Sequence, residues 1–370
     1  MIEFPIRIAV VMGKYTTGGI KSVLLNYYTY INKDKVQFDF IIDYDSPITD
    51  YSEVTKLGAR VYKVAPPENL VKHISDCYRL FRKNSYQIVH GYLNTLNVFS
   101  MAAAWMAGVP VRISENLSTG HAGESKTLIK NLLRPFAQLF PTTIAANSVF
   151  AAEWIYGKKS AKKSQIFRNA LDLTRFKFDE SSRHNVRKKL NVDGKFVIGN
   201  VGRFQYQKNH NLLIDIFAKF HQLHPESELL LVGYGELKDQ IFEKIHQLHL
   251  DDAVIDAGST EDLIPLYNAM DCFILPSFYE GLPVVGIEAQ AMSLPCIFSG
   301  EVTREVQILS TTKFVELDQP LSDWVGALES IQNVKRIDTQ RELRNAGYDI
   351  FEEAKRLESF YLSELEAHTN

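Results

Sequence analysis

Two glutamates eight positions apart, Glu280 and Glu288, punctuate the stretch FYEGLPVVGIEAQAMSLP at residues 278–295. Glu280 follows the apolar run DCFILPS and a tight turn. Glu288 falls inside a helix whose first turn Pro283 fits, because a missing N–H costs nothing there. At 1.5 Å per residue, the second glutamate lies about 7.5 Å further along the helix than the first. An ionised carboxylate only accepts hydrogen bonds, so the pair suits a ligand with hydroxyl groups on both sides of a central group. The amides around Gly281, Leu282 and the helix start are expected to meet an anion, such as a diphosphate, aided by the helix dipole. Two surface glutamates flanking an ordinary strand-to-helix turn are the plain alternative.

Four more segments could carry chemistry. In VGRFQYQKN, Arg203 follows an apolar strand and Lys208 comes five residues later; a cationic pair can replace a metal ion as a charge clamp, although exposed loop cations would look the same. VGYGE places Gly233 and Gly235 after a strand, which is weak by itself. GKYTTGGIKS, with Gly18 and Gly19, is a glycine-rich turn entering a helix, without the lysine spacing of a P-loop; helix initiation is its rival reading. His90 ends the strand QIVHGY, where a histidine is also often a hydrogen-bonded structural group.

The elements that must position these residues are legible as alternation. Short β-branched or apolar runs alternate with stretches of helical period, the pattern of parallel α/β sheets. Strands are expected at IRIAVVM, FDFIIDY, ARVYKV, QIVHGY, VRISEN and TTIAAN, with helices over 18–31, 70–84, 95–107 and 125–140. A second series runs FVIGNVGRF, ELLLVGYG, AVIDAG, DCFILPS, PCIFSG and TKFVEL. The fold class is therefore α/β: two Rossmann-like, doubly wound parallel sheets in tandem, over residues 1–172 and 195–346. A polar linker is expected at 173–194, and a terminal helix at 347–370 that could pack back on the first domain. Open α/β sheets bind ligands beyond the carboxyl ends of their strands, so the chemistry is expected in a cleft between the two.

Composition narrows the class. With 370 residues, 45% hydrophobic and 23% charged, the chain fits two soluble domains. No apolar run is long enough to span a bilayer and the N-terminus lacks a secretory pattern, which reads as cytoplasmic. Cys77, Cys272 and Cys296 lack metal or disulfide spacing and are expected as buried small hydrophobes. Residues 1–180 hold 23 Lys and Arg against 15 Asp and Glu, whereas 181–370 hold 18 against 29. A basic first half suits an anionic acceptor or a membrane surface, and KTLIKNLLRPFAQLF at 126–140, with Lys126, Lys130 and Arg134, reads as a membrane-surface helix or as a helix covering the sheet. DYD at 43–45 imitates an Asp-x-Asp metal motif, but at the end of a strand in this fold it is expected to be a solvated acidic loop. No metal or other cofactor is expected, and nucleic acid is not expected as a partner.

Glu, seven residues, Glu in YEGLPVVGIEAQAMSLPC, together with GGIKSVLLNY, VGRFQYQKNHNLLIDIF and LLLVGYGELKDQI in that order, resembles retaining family 4 glycosyltransferases of the GT-B fold, of the bacterial capsular and exopolysaccharide type. The resemblance runs over nearly the whole chain and is more specific in the C-terminal half. It implies that Glu288 binds ribose hydroxyls, Glu280 contacts the donor sugar, and Arg203 and Lys208 neutralise the pyrophosphate. It also implies that Gly233 and Gly235 lie near the base or ribose, that Gly18 and Gly19 approach donor phosphate and acceptor, and that His90 lies near the transferred sugar. Glu115, Asn116 and His121 in ENLSTGH depart from the His-rich run that relatives often carry, and Asn169 matches a hinge region. The implied activity is retaining transfer, by a front-face mechanism, from a nucleotide sugar, expected as a UDP-sugar, to a glycan or lipid-linked glycan; the inner membrane surface as a partner is suggested by the basic first half and the 126–140 stretch, not by the resemblance. A nucleotide-sugar epimerase or hydrolase would share the donor grip; a bilobal binding protein or a nicotinamide dehydrogenase fits less, the latter for want of G-x-G-x-x-G after either first strand.

Overall fold

The computed structural model describes residues 4–16, 19–117, 127–260 and 262–369. Residues 1–172 with 347–370 form one compact unit and residues 173–346 a second.

The first unit is built on seven parallel strands: β1 (Ile6–Gly13), β2 (Val36–Asp43), β3 (Arg60–Val64), β4 (Ile88–Gly91), β5 (Val111–Asn116), β6 (Thr143–Ala146) and β7 (Gln165–Ile166). Their order is β3-β2-β1-β4-β5-β6-β7, so the chain winds outward one way from β1 and the other way from β4. The second unit has β8 (Phe196–Val201), β9 (Ser227–Val232), β10 (Val254–Asp256), β11 (Cys272–Leu275), β12 (Cys296–Ser299) and β13 (Lys313–Val315), in the order β10-β9-β8-β11-β12-β13. Here the winding reverses between β8 and β11. Both sheets are the doubly wound parallel type read from the alternation. Central strands such as β1 and β9 are buried on both faces, which is why they read as nearly continuous apolar runs. Each unit has its own core, the second gathered around Phe204, Phe217, Phe220, Leu229, Leu231 and Trp324, and the three cysteines are buried and free.

Three boundaries differ from expectation. The two-residue strand β7 is too short to leave a periodic signal. The helix expected over 125–140 is α-helical only at Thr127–Leu133 and passes into a 3-10 turn at Arg134–Phe136, because Pro135 has no N–H to continue the ladder. Residues 173–194, expected as a linker, are part of the second unit. Their helix Glu180–Leu190 is capped by the Asp179 side chain. Arg187, buried in spite of its charge, donates to the Ala269 and Val192 carbonyls at 2.8 Å and to Asp271 at 3.0 Å, while Arg183 donates to Asp271 and to Met270 O. Polar composition hid this packing, since buried arginines are tolerated when every donor finds a carbonyl or carboxylate.

The terminal helix Ile350–Thr369 completes the first unit. Phe351 packs edge-on against Tyr30 at 4.7 Å and Glu358 takes Lys35 at 2.8 Å. This assignment changes the charge ledger: the first unit holds 23 Lys and Arg against 19 Asp and Glu, the second 18 against 25.

Candidate active site

At the switch point of the second sheet, two loops leave neighbouring strands in parallel. After β8 the chain runs Gly202–Asn209; after β11 it runs through Ser277 to Pro283. Crevices at such points are where open α/β sheets bind ligands. The loops are stitched together by side chains. Lys208 Nζ lies 2.6 Å from Glu280 Oε1. Ser277 Oγ donates to the same oxygen at 3.0 Å. Gln207 Nε2 donates to Glu280 Oε2 at 3.2 Å and to Tyr279 O at 3.0 Å, while the Gln207 backbone carbonyl accepts from Phe278 N–H at 2.8 Å. Tyr206 stacks on Phe278 with ring centres 4.6 Å apart. Glu280 is 7% exposed, and three donors occupy its roughly four acceptor directions, so about one direction is left for a ligand.

Gly202 sits against the lysine stem: a Cβ there would lie 3.3 Å from Lys208 Cε. The lysine head is thereby held at the loop base. Arg203 is exposed, its guanidinium 5.6 Å from the Tyr234 ring centre. Gly233 and Gly235 explain how that loop is fixed. Both have positive φ, 153° and 155°, and a Cβ would fall 1.9 Å from Gly202 O in the first case and 2.4 Å from Phe204 O in the second. With no side chain in the way, Phe204 N–H reaches Tyr234 O at 2.8 Å and Leu237 N–H reaches Phe204 O at 2.9 Å. The contacts of these glycines are therefore with the Arg203 loop itself.

Pro283 is the N-cap of the helix Val284–Ala291, at φ −69° and ψ 114°, one position earlier than the first-turn placement read from the sequence. Its carbonyl accepts from Gly286 N–H at 3.0 Å. The N–H groups of Leu282, Val284 and Val285 make no hydrogen bond among the described residues. They leave this helix end able to receive an anion. Glu288 is the fifth residue of the helix and accepts from Tyr267 OH at 2.8 Å. Burial pushes its carboxyl up to about 7, against the opposing pull of the Tyr267 hydrogen bond. New hydrogen-bond donors would favour the ionised form.

Lys208 and Glu280 are thus directly joined, Arg203 shares the loop with Lys208, and Glu288 lies on the helix that follows Glu280; its partner is Tyr267 rather than either cation. Gln207, Ser277 and Tyr267 were not singled out from sequence. The first two sit inside quoted motifs, whereas Tyr267, 21 residues before Glu288, gives no local signal.

The remaining expected residues belong to the first unit. His90, expected at a strand end facing the transferred sugar, is wholly buried. Its Nδ1 meets Tyr361 OH at 2.8 Å, its ring stacks on Tyr92 at 4.3 Å, and Nε2 lies 3.0 Å from Glu115 Oε2, off the line of a hydrogen bond. Tyr361 belongs to the terminal helix, which packs against this histidine. Asn116 is also internal, donating to Ala151 O at 2.8 Å. Asn169 is buried three residues beyond the end of β7. Gly19 opens the helix Gly19–Tyr30, and among the described residues nothing lies within 4 Å of a would-be Cβ; Gly18, His121 and Lys126 lie outside the described residues. Asp43, expected in a solvated loop, is buried at the end of β2, while Asp45 pairs with Lys14 at 2.8 Å.

Residues 182–315 match the family model described as "Glycosyl transferases group 1". EpsF of Bacillus subtilis (strain 168), described as a glycosyltransferase, is 27% identical over 358 residues, 93% of each chain. An Escherichia coli enzyme named UDP-Gal:alpha-D-GlcNAc-diphosphoundecaprenol alpha-1,3-galactosyltransferase is 27% identical over 311 residues, covering 80% of this chain and 79% of that one. Among solved structures, Anabaena Alr3699/HepE in complex with UDP superposes with a TM-score of 0.76 at 17% identity, covering 97% of this chain and all of the other. The chain resembles the group 1 glycosyl transferases of bacterial polysaccharide biosynthesis, on the GT-B type of fold, and carries their family segment at residues 182–315.

Proposed function

We propose that this protein is a retaining glycosyltransferase that moves a sugar from a UDP-sugar to a hydroxyl of a glycan or lipid-linked glycan during polysaccharide assembly. The observation that carries the reading is the meeting, at the switch point between β8 and β11, of a cationic loop and a helix N-terminus with free amides. Pyrophosphate would lie against those amides, and Lys208 would exchange the Glu280 carboxylate for phosphate oxygens. Arg203 and Lys208 would stabilise the charge that grows on departing UDP, in the role a metal ion plays elsewhere. Glu288 would accept the ribose hydroxyls and Glu280, through its remaining lone pair, a hydroxyl of the donor sugar. In a front-face reaction the leaving phosphate takes the proton of the incoming hydroxyl, so no side chain need act as nucleophile or base. Support for a UDP donor comes from the names of the E. coli relative and of the Anabaena complex.

The acceptor is proposed to be met at the cytoplasmic face of a membrane. Among the described residues no helix is long and apolar enough to cross one, but Leu132, Phe136 and Leu139 are exposed beside Lys130 and Arg134.

Lys208→Ala and Glu288→Ala test the reading. Loss of a group aimed at developing charge typically costs ~10²–10³ in kcat, and we expect at least that for Lys208→Ala with the far-UV spectrum unchanged. Undiminished sugar transfer in either variant would overturn the assignment, and rapid UDP release without any acceptor would point to a hydrolase.

A further inference from the structure

Glu288, the residue proposed to meet the ribose, is held by a tyrosine that is itself wholly buried. Tyr267 OH donates to Glu288 Oε2 at 2.8 Å, with Val285 O a longer neighbour at 3.5 Å. Glu288 is only half-buried. Its Oε1 makes no hydrogen bond among the described residues and still reaches solvent. One carboxylate oxygen is therefore anchored from within the fold, and the other is open to a ligand.

Three arginines fix the backbone that carries the tyrosine. Tyr267 lies in the short helix Ile264–Ala269, and carbonyls at a helix end need partners from elsewhere. Arg336 donates to the carbonyls of Tyr267, Asn268 and Met270, each at 3.1 Å. Arg183 reaches Asn268 O at 3.0 Å and Met270 O at 2.8 Å, and Arg187 reaches Ala269 O at 2.8 Å. Arg336 Nε also donates, at 3.1 Å, to Met292 O at the C-cap of the helix that carries Glu288. One guanidinium thus ties the end of the tyrosine's helix to the end of the glutamate's.

This arrangement bears on charge as well as on place. Burial, the larger cause, pushes the Glu288 carboxyl up to about 7, and the Tyr267 hydrogen bond pulls against it. Among the described residues no other titratable group acts appreciably on that carboxyl. Cys296, on β12, acts on the tyrosine, and Arg336 acts on Cys296, whose thiol is pushed up by burial and stays neutral. An ionised carboxylate accepts hydrogen bonds at both oxygens, whereas protonation turns one of them into a donor. Without the tyrosine's O–H, Glu288 would keep its proton to higher pH.

We propose that Tyr267 is a positioning residue for donor binding, its hydroxyl holding one carboxylate oxygen of Glu288 so that the other meets the ribose hydroxyls. The proposal rests on the glycosyltransferase reading and deepens it: donor affinity falls as Glu288 takes up a proton, and Tyr267 sets the pH at which this happens. Calorimetric titration of the full chain with UDP-glucose, UDP-galactose and UDP-N-acetylglucosamine, from about pH 5.5 to about 8.5, tests it. Nucleotide sugars are used because their phosphates, unlike the terminal phosphate of UDP, do not titrate in that range. For the tightest of the three we expect wild-type affinity to fall below about pH 7. In Tyr267→Phe, which keeps the ring, the fall should begin about one pH unit higher. That variant should then bind within about two-fold of the wild type near pH 8.5 and about ten-fold more weakly below both midpoints. In Glu288→Gln the acid limb should vanish. A uniform loss of folded protein does not move a midpoint on the pH axis, so the readout survives some destabilisation. A tyrosine that only fills the core would leave the profile where it is. An unmoved midpoint in Tyr267→Phe, or an acid limb that persists in Glu288→Gln, therefore overturns the proposal. Failure of the wild type to bind any of the three donors at any pH would instead sink the underlying reading.

Discussion

Glu288 combines a structural cost with the binding role proposed for it. Its carboxyl is pushed up to about 7 in the fold from its ordinary 4.5, chiefly because burial disfavours the charge. Below about pH 4.5 it is neutral folded or unfolded and costs nothing. As pH rises from there through 7, the unfolded chain loses its proton first, and stability falls until both states are ionised. Glu288→Gln removes this penalty. At pH 8 the variant should be more stable by up to about 3 kcal/mol, with the difference vanishing near pH 4. Denaturant unfolding at the two values checks the sign. Saturating UDP should narrow the gap at pH 8, because ribose hydroxyls would satisfy the charge in the wild type alone. The two glutamates and two cations were readable because their motifs are contiguous in the chain. What the sequence withheld was partnership: Tyr267 beneath Glu288, the Lys208–Glu280 ion pair, and the burial of His90 and Asp43 all depend on residues brought from other elements.

At the scale of elements, nearly every strand was legible because apolar runs buried on both faces have no rival explanation at that length. The misreadings follow physical rules. The helix after residue 126 stops where Pro135 interrupts it, and the 173–194 segment packs although it is polar, because Arg183 and Arg187 bury against carbonyls. The glycines divide by what surrounds them. Gly235 admits the backbone of the Arg203 loop to within a distance that a methyl group would fill. Gly235→Ala should cost about 2–3 kcal/mol or more through overpacking and a disfavoured φ, and should weaken UDP binding by displacing Arg203. Gly19→Ala, with no described residue within 4 Å of the added methyl group, should be neutral or stabilising by up to about 1 kcal/mol through the unfolded chain. Paired unfolding curves and UDP titrations distinguish the two cases. Equal costs would mean that the Gly235 contact is not what holds the loop.

At the scale of the whole molecule, the location of the terminal helix alters the argument from charge. The sequence halves differ sharply, but residues 347–370 carry 2 Lys and Arg against 6 Asp and Glu and belong to the first unit. That unit then holds 23 cations against 19 anions, too nearly balanced for a long-range field to draw it to a bilayer through ~8 Å of screening. Any membrane attraction must therefore be local, from Lys130 and Arg134 at about 1 kcal/mol each and from Leu132 and Leu139, which are 70% and 64% exposed. Full burial of each leucine would add about 1.5–3 kcal/mol. The sum predicts reversible binding to vesicles containing phosphatidylglycerol, weakened by 0.5 M salt (about a 4 Å Debye length), and little binding to phosphatidylcholine alone. Leu132→Glu with Leu139→Glu should remain in the supernatant on co-sedimentation. UDP affinity should be retained, because the proposed donor residues draw on the separate core of the second unit. Salt-independent sedimentation, or equal binding to neutral vesicles, would show that this face does not act through its cations.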